Sequence, residues 1–136
     1  MNKEAACRIY ASAWNGLLPE VLVDALDEEV RYSSQWVLSD LNGKAEVADY
    51  LRAKMETIRA SPEARVFAQL ARTQKYPMYG LSPEPCVVIG QGTAEDLVAT
   101  VLFTVSETKI IGIDICMIPP PHTTKRLGVF PAASMQ

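Results

Sequence analysis

The stretch Arg8–Ser61, RIYASAWNGLLPEVLVDALDEEVRYSSQWVLSDLNGKAEVADYLRAKMETIRAS, decides how this chain folds. It reads as helix, helix, strand, loop, long helix. Ala6, Ile9, Tyr10, Ala13, Trp14 and Leu17 recur at helical spacing, so residues 3–15 are expected to form an amphipathic helix. Asn15-Gly16 is expected to end it, because both residues tolerate a left-handed backbone. Pro19 at a first helical position, Glu20 at the positive end of the dipole and the apolar Val21, Leu22, Ala25 and Leu26 predict a second, short helix. The period then changes. Val30, Tyr32, Ser34 and Trp36 alternate with Arg31, Ser33 and Gln35, which predicts a strand over 29–36 with one wet face. After a loop at 37–42, a third helix is expected over about 44–60, with Asn42 or Gly43 as its cap. Its stripe is Val47, Tyr50, Leu51, Met55 and Ile58, and Ser61-Pro62 stops it.

Working outward, the second half carries almost no helical signal. Four strands are expected, at 64–73, 85–91, 97–106 and 109–118, with QKYPMYGLSPEP as a loop between the first two. Both faces of the last two strands are largely apolar, so both need cover. Three helices cover one face; the other is expected to meet a second copy, as a homodimer through the sheet face. Pro119-Pro120-Pro121 ends the sheet, dividing a single domain (1–118) from a proline-led tail (119–136). Leu127, Val129 and Phe130 are the apolar anchors by which the tail is expected to dock.

Composition narrows the function. The 136 residues suit one core, and 49% hydrophobic residues argue against disorder. A net charge of −3 with scattered Lys and Arg argues against nucleic acid as a partner. The opening MNKEAACRIY lacks the apolar core of a secretory signal, and no apolar run is long enough to cross a bilayer. A soluble cytoplasmic protein with no membrane partner is therefore expected. Cys7, Cys86 and Cys116 form no CxxC pair and read as packed thiols. With one histidine and dispersed cysteines, no zinc site has its ligands. Gly90-Gln91-Gly92 starts like a dinucleotide fingerprint, but Glu95 stands at the third glycine position and a strand follows. No cofactor is expected. His122, directly after the prolines, reads as a surface or tail residue.

The order helix, helix, strand, helix, four strands, with Tyr10–Trp14–Asn15, the LPEVLVDALDEEVRY run and GKAEVADYL, resembles the nuclear-transport-factor-2-like superfamily. That superfamily includes ketosteroid isomerases, polyketide cyclases and limonene epoxide hydrolases. The resemblance implies an α+β fold: a curved, mostly antiparallel sheet wrapped around three helices from the N-terminal half, a cystatin-like cone with an apolar cavity at its open end. It also allows the chemistry to be checked by position. The isomerase branch's oxyanion donor falls on Tyr10. Its general base falls on Ser34, which cannot remove a carbon-bound proton near neutral pH. The tyrosine supporting the donor falls on Leu51, and the protonated aspartate of the oxyanion hole falls near Val101. The hydrolase branch needs an Asp-Arg-Asp set, of which only Asp114 is present on the later strands.

The catalytic candidates are thus Tyr10 and Asp114. Tyr10 is either a ligand-orienting phenol or a core tyrosine, the second reading being preferred. Asp114 lies within IIGIDICMI, where an unpaired charge is costly. The resemblance places Ile113 and Ile115 toward the cavity and Asp114 on the opposite side, as a structural ion pair. Trp14 and Trp36 are cavity wall or packing. The expected wall comprises Tyr10 and Trp14 on the first helix, Tyr32, Ser34 and Trp36 on the first strand, and Ile113, Ile115 and Met117 opposite. This composition favours binding a hydrophobic or aromatic small molecule. The alternatives are a lyase, isomerase or hydrolase acting on such a molecule, and an assembly protein whose cone is filled by side chains.

Overall fold

A computed structural model describes residues 1–35, 39–75 and 82–132. Helix α1 spans Lys3–Gly16, α2 Pro19–Val23 and α3 Lys44–Ala60. The strands are β1 (Leu26–Ser34), β2 (Leu41–Asn42), β3 (Val66–Arg72), β4 (Pro85–Gln91), β5 (Leu97–Val105), β6 (Ile110–Cys116) and β7 (Lys125–Arg126). They form one curved sheet in the order β2-β1-β6-β5-β4-β3-β7. Only β1 and β6 run parallel; every other neighbouring pair is antiparallel. The α+β architecture with a mostly antiparallel sheet is the one expected from the order of elements.

The helices pack on one face of the sheet. Ala6, Tyr10, Ala13 and Trp14 of α1, Leu22 of α2 and Val47, Leu51, Met55 and Ile58 of α3 share one core with Val30, Val87, Val101, Phe103 and Ile113 of the strands. Asn2 caps α1 by accepting from the Ala5 N–H at 2.8 Å. The helix does not end as expected at Asn15-Gly16. It runs through Gly16, and the left-handed residue is Leu17, with φ +53°. The Asn15 side chain instead bridges α1 to β3 and to the chain near its C-terminus.

Two further boundaries differ. Strand β1 starts at Leu26, three residues before the expected start, and Trp36 at the expected end lies outside the described residues. The segment expected as a loop at 37–42 contains β2, a two-residue strand paired with Arg31 and Tyr32. An element that short has no periodicity to read.

Two of the sheet's three register shifts involve β5, and the first bears on the site. Between β4 and β5, Ile89 pairs with Ala99 but Gly90 pairs with Leu97, so Val98 is an extra residue. Between β5 and β6, Thr104 pairs with Gly112 and Val105 with Ile110, which leaves Ile111 over. Gly90 and Gln91 end β4, and Gly92 opens the β4–β5 turn. A Cβ on Gly90 would stand 2.5 Å from the Thr93 carbonyl, and Gly92 has φ +81°.

The second sheet face is covered in part by the chain itself. Thr100, facing away from the helices, donates from Oγ1 to the Pro119 carbonyl at 2.7 Å, and Pro119 and Pro121 are buried. From β6 the chain crosses β5 and β4 to reach the outer edge of β3. There Arg126 and Lys125 pair with Ala71 and Arg72. The Leu70 N–H donates to Val129 O at 2.9 Å, and the Leu127 N–H donates to Leu70 O at 3.0 Å. Backbone bonds to β3 and side-chain bonds from Asn15, Gln69 and Thr100 hold the tail. Its expected anchors Leu127, Val129 and Phe130 are all exposed, at 47%, 40% and 40%.

Candidate functional site

Between α1, α3 and the concave side of the sheet lies a cavity of about 350 Å³. From α1, Tyr10 and Trp14 reach it together because they are one turn apart. Tyr32 enters from β1, Ile115 from β6, Val66 from β3, Ile89 and Gln91 from β4, and Lys54 from α3. The extra residue in β5 turns Val98 to the same side as Ala99, so two consecutive residues line the wall. A second cavity of about 230 Å³ adjoins it, sharing Tyr32 and Ile115 and adding Ser34, Ser39, Leu41 and Tyr50.

The aromatic rings fix the geometry. Tyr10 meets Phe103 edge-on, with centroids 5.3 Å apart, and Trp14 at 6.1 Å. Tyr32 meets Tyr50 at 5.3 Å. The phenols of Tyr10, Tyr32 and Tyr50 therefore stand in a row from the floor of one cavity to the other. Burial raises the Tyr10 pKa, the Tyr50 hydroxyl adds to this, and Tyr32 and Trp14 partly oppose it. Burial also pushes Tyr32 well above the usual tyrosine value, with Tyr10 and Tyr50 adding to the shift. Both phenols thus stay protonated at neutral pH and present O–H donors. The Trp14 indole N–H approaches the Tyr10 hydroxyl without reaching hydrogen-bonding geometry and has no partner among the described residues.

Solved structures with this architecture were found by comparison. A hypothetical protein with a ketosteroid isomerase-like fold from Catenulispora acidiphila, in complex with trimethylamine, is 13% identical with a TM-score of 0.58, over 85% of this chain and 86% of that one. A putative polyketide cyclase from Sinorhizobium meliloti is 13% identical with a TM-score of 0.57, over 82% of this chain and 94% of that one. An NTF2-like protein of unknown function from Cytophaga hutchinsonii is 10% identical with a TM-score of 0.57, over 90% of this chain and 95% of that one. The chain has the nuclear-transport-factor-2-like fold. No protein-family model and no curated protein matches its sequence. At these identities the likeness establishes the NTF2-like fold and leaves the chemistry to the residues themselves.

Those residues divide into three groups. Tyr10, Trp14, Tyr32 and Ile115 stand where the sequence reading put them, around the larger cavity of the NTF2-like cone. Ser34 lines the adjoining cavity, and Trp36 lies outside the described residues. Ile113 and Met117 are corrected. Ile113 is fully buried in the core and does not line the cavity. Met117 lies past the end of β6 and is 41% exposed. Gln35 Oε1 accepts from the Met117 and Ile118 N–H groups where the chain leaves the strand.

Asp114, the second catalytic candidate, is also away from the cavity. It takes the opposite sheet face from Ile113 and Ile115 and pairs with Arg31 at 3.2 Å, with both side chains partly exposed. Leu51 and Val101, the counterparts of the isomerase branch's polar groups, are fully buried in the core. The tyrosines beside Tyr10 come instead from Tyr32 and Tyr50. Among the described residues lining the two cavities there is no carboxylate. Among the described residues, no group of three His, Cys, Asp or Glu side chains could hold a metal. No helix among them is long and apolar enough to cross a membrane.

Sequence reasoning missed Lys54, Val66, Ile89, Gln91, Val98 and Ala99. One signal was available for Lys54: it follows Tyr50 by four residues and so shares its helix face. For Val98 there was none, because regular alternation places it on the other face from Ala99.

Proposed function

We propose that this protein binds a small hydrophobic or aromatic molecule in the larger cavity. The observation that carries the reading is the lining itself. Trp14, Val66, Ile89, Val98, Ala99 and Ile115 offer apolar surface, and Tyr10 and Tyr32 add hydroxyls at the floor. The volume falls at the small end of ligand pockets and suits a molecule of one to three rings. Binding is favoured over catalysis because the described lining residues include no carboxylate, histidine or cysteine to act as base or nucleophile. The raised pKa of Tyr10 makes it a persistent donor rather than a proton shuttle. The neighbour solved with trimethylamine supports a small-molecule role for this kind of fold. Tyr10 and Tyr32 would orient one acceptor on the ligand, and Ser34 would contact any part that extends into the adjoining cavity.

The test is titration with N-phenyl-1-naphthylamine, a neutral fluorophore that brightens in apolar surroundings. Wild type should give saturable binding. Ala99→Phe, which fills the cavity from its wall, should abolish it while leaving the melting temperature close to wild type. Equal binding by a folded Ala99→Phe variant would place the ligand elsewhere. Turnover of a hydrophobic substrate that stops in Tyr10→Phe would establish the enzyme reading instead.

A further inference from the structure

The polar groups of the cavity are unbalanced in one direction, and this bears on the class of ligand. Tyr10 and Tyr32 present donors, and Lys54 brings a full positive charge to the mouth. Among the described residues, no aspartate or glutamate lines this cavity or the adjoining one. The other cations of α3 are already engaged. Arg52 pairs with Glu20 at 2.6 Å and with Asp49 at 3.8 Å, and Lys44 stands 4.0 Å from Glu28. Arg59 donates to the Leu17 carbonyl at 2.5 Å. Lys54 makes no ion pair or hydrogen bond among the described residues. It sits one turn after Tyr50, so its ammonium is carried on the helix face that meets the row of phenols.

Resting on the cavity reading above, we propose that the ligand is an apolar acid: a ring system buried against Trp14, Ile89 and Ile115, with its carboxylate at the mouth paired to Lys54. A neutral molecule would leave the ammonium without a counter-charge, and an amine would be repelled by it. A phosphate dianion fits less well, because among the described residues one lysine supplies a single charge and no arginine fork lines the site. A carboxylate matches both the charge and the donors.

The experiment compares two probes of the same shape, 2-naphthoate and 2-naphthamide, by isothermal titration calorimetry on wild type, Lys54→Met and Lys54→Arg. Lys54 is exposed, so neither substitution disturbs the core. Wild type should prefer the acid by about two- to fivefold at low salt, as expected for an ion pair at a cavity rim, and the preference should shrink as salt is added. Lys54→Met should remove the difference between the probes, and Lys54→Arg should keep it. Equal affinity of wild type for both probes, or a preference that survives Lys54→Met, overturns the proposal while leaving the cavity reading intact. Failure of both probes to bind wild type overturns the cavity reading and the proposal with it.

Discussion

Replacing Asn15 with alanine should loosen the edge of the sheet nearest the cavity. Asn15 Nδ2 donates to the carbonyls of Ala68 at 2.8 Å and Pro131 at 2.6 Å, and Oδ1 accepts from the Ala68 N–H at 2.8 Å. One side chain thus satisfies β3 at Ala68, while the tail satisfies the same edge at Leu70. Three partly buried hydrogen bonds at about 1 kcal/mol net each put the cost of Asn15→Ala at roughly 2–3 kcal/mol. For a domain of this size that is a fall of roughly 6–10 °C in melting temperature. Differential scanning calorimetry and urea unfolding measure it. Hydrogen exchange locates it, since protection should drop first at the Ala68 and Leu70 amides. Asn15→Asp is the informative control. It keeps the acceptor for Ala68 N–H but turns a carboxylate oxygen toward two carbonyls, so it should destabilise at least as much as alanine at neutral pH. An Asn15→Ala variant within about 0.5 kcal/mol of wild type, with exchange at Ala68 unchanged, would refute the reasoning.

Other expectations are simpler. Asp114→Asn breaks an ion pair in which the Arg31 and Asp114 side chains are 51% and 34% exposed, so it should cost under about 1 kcal/mol and leave naphthylamine binding unchanged; lost binding would restore Asp114 to the site. Burial pushes Cys7 and Cys86 up to about 12 and Cys116 to about 11, so the native thiols should resist Ellman's reagent at pH 8 and react once the protein unfolds in urea. The linkage has a definite sign: the folded thiols hold their protons longer than unfolded ones of pKa 9.0, so their contribution to stability is complete below pH 9 and is lost as pH rises toward 12. Tyr10 and Tyr32 should be missing from the tyrosinate absorbance of the native protein at about pH 11, and appear only on unfolding. The apolar side chains left exposed around β6, Ile111, Met117 and Ile118, are proposed to contact a second copy; light scattering showing a monomer at micromolar concentration would remove that proposal.

By itself the sequence determined the three helices, the five longer strands and their order, because those depend on neighbours along the chain; the two-residue strands β2 and β7 carried no such signal. The stripe of α3, the proline that stops it and the proline that opens α2 act within a turn or two, and α3 and α2 form where those signals stand. Alternation in β1 likewise put Tyr32 on the buried face and Arg31 on the exposed one. Tyr10 and Trp14 were legible as one wall for the same reason. The tertiary structure decided what depends on register. The extra residue in β5 brought Val98 beside Ala99, and the end of β6 at Cys116 removed Met117 from the wall. A one-residue shift in a strand exchanges its faces, and no local periodicity records where the shift falls. Long-range partners were hidden in the same way. Asn15 looked like a helix terminator, yet its hydrogen bonds reach Ala68 and Pro131, which only the folded chain brings to it. Lys54 is not part of the apolar stripe read on α3; only the packing of that helix over the sheet set it at the mouth of a cavity lined, among the described residues, by no acid.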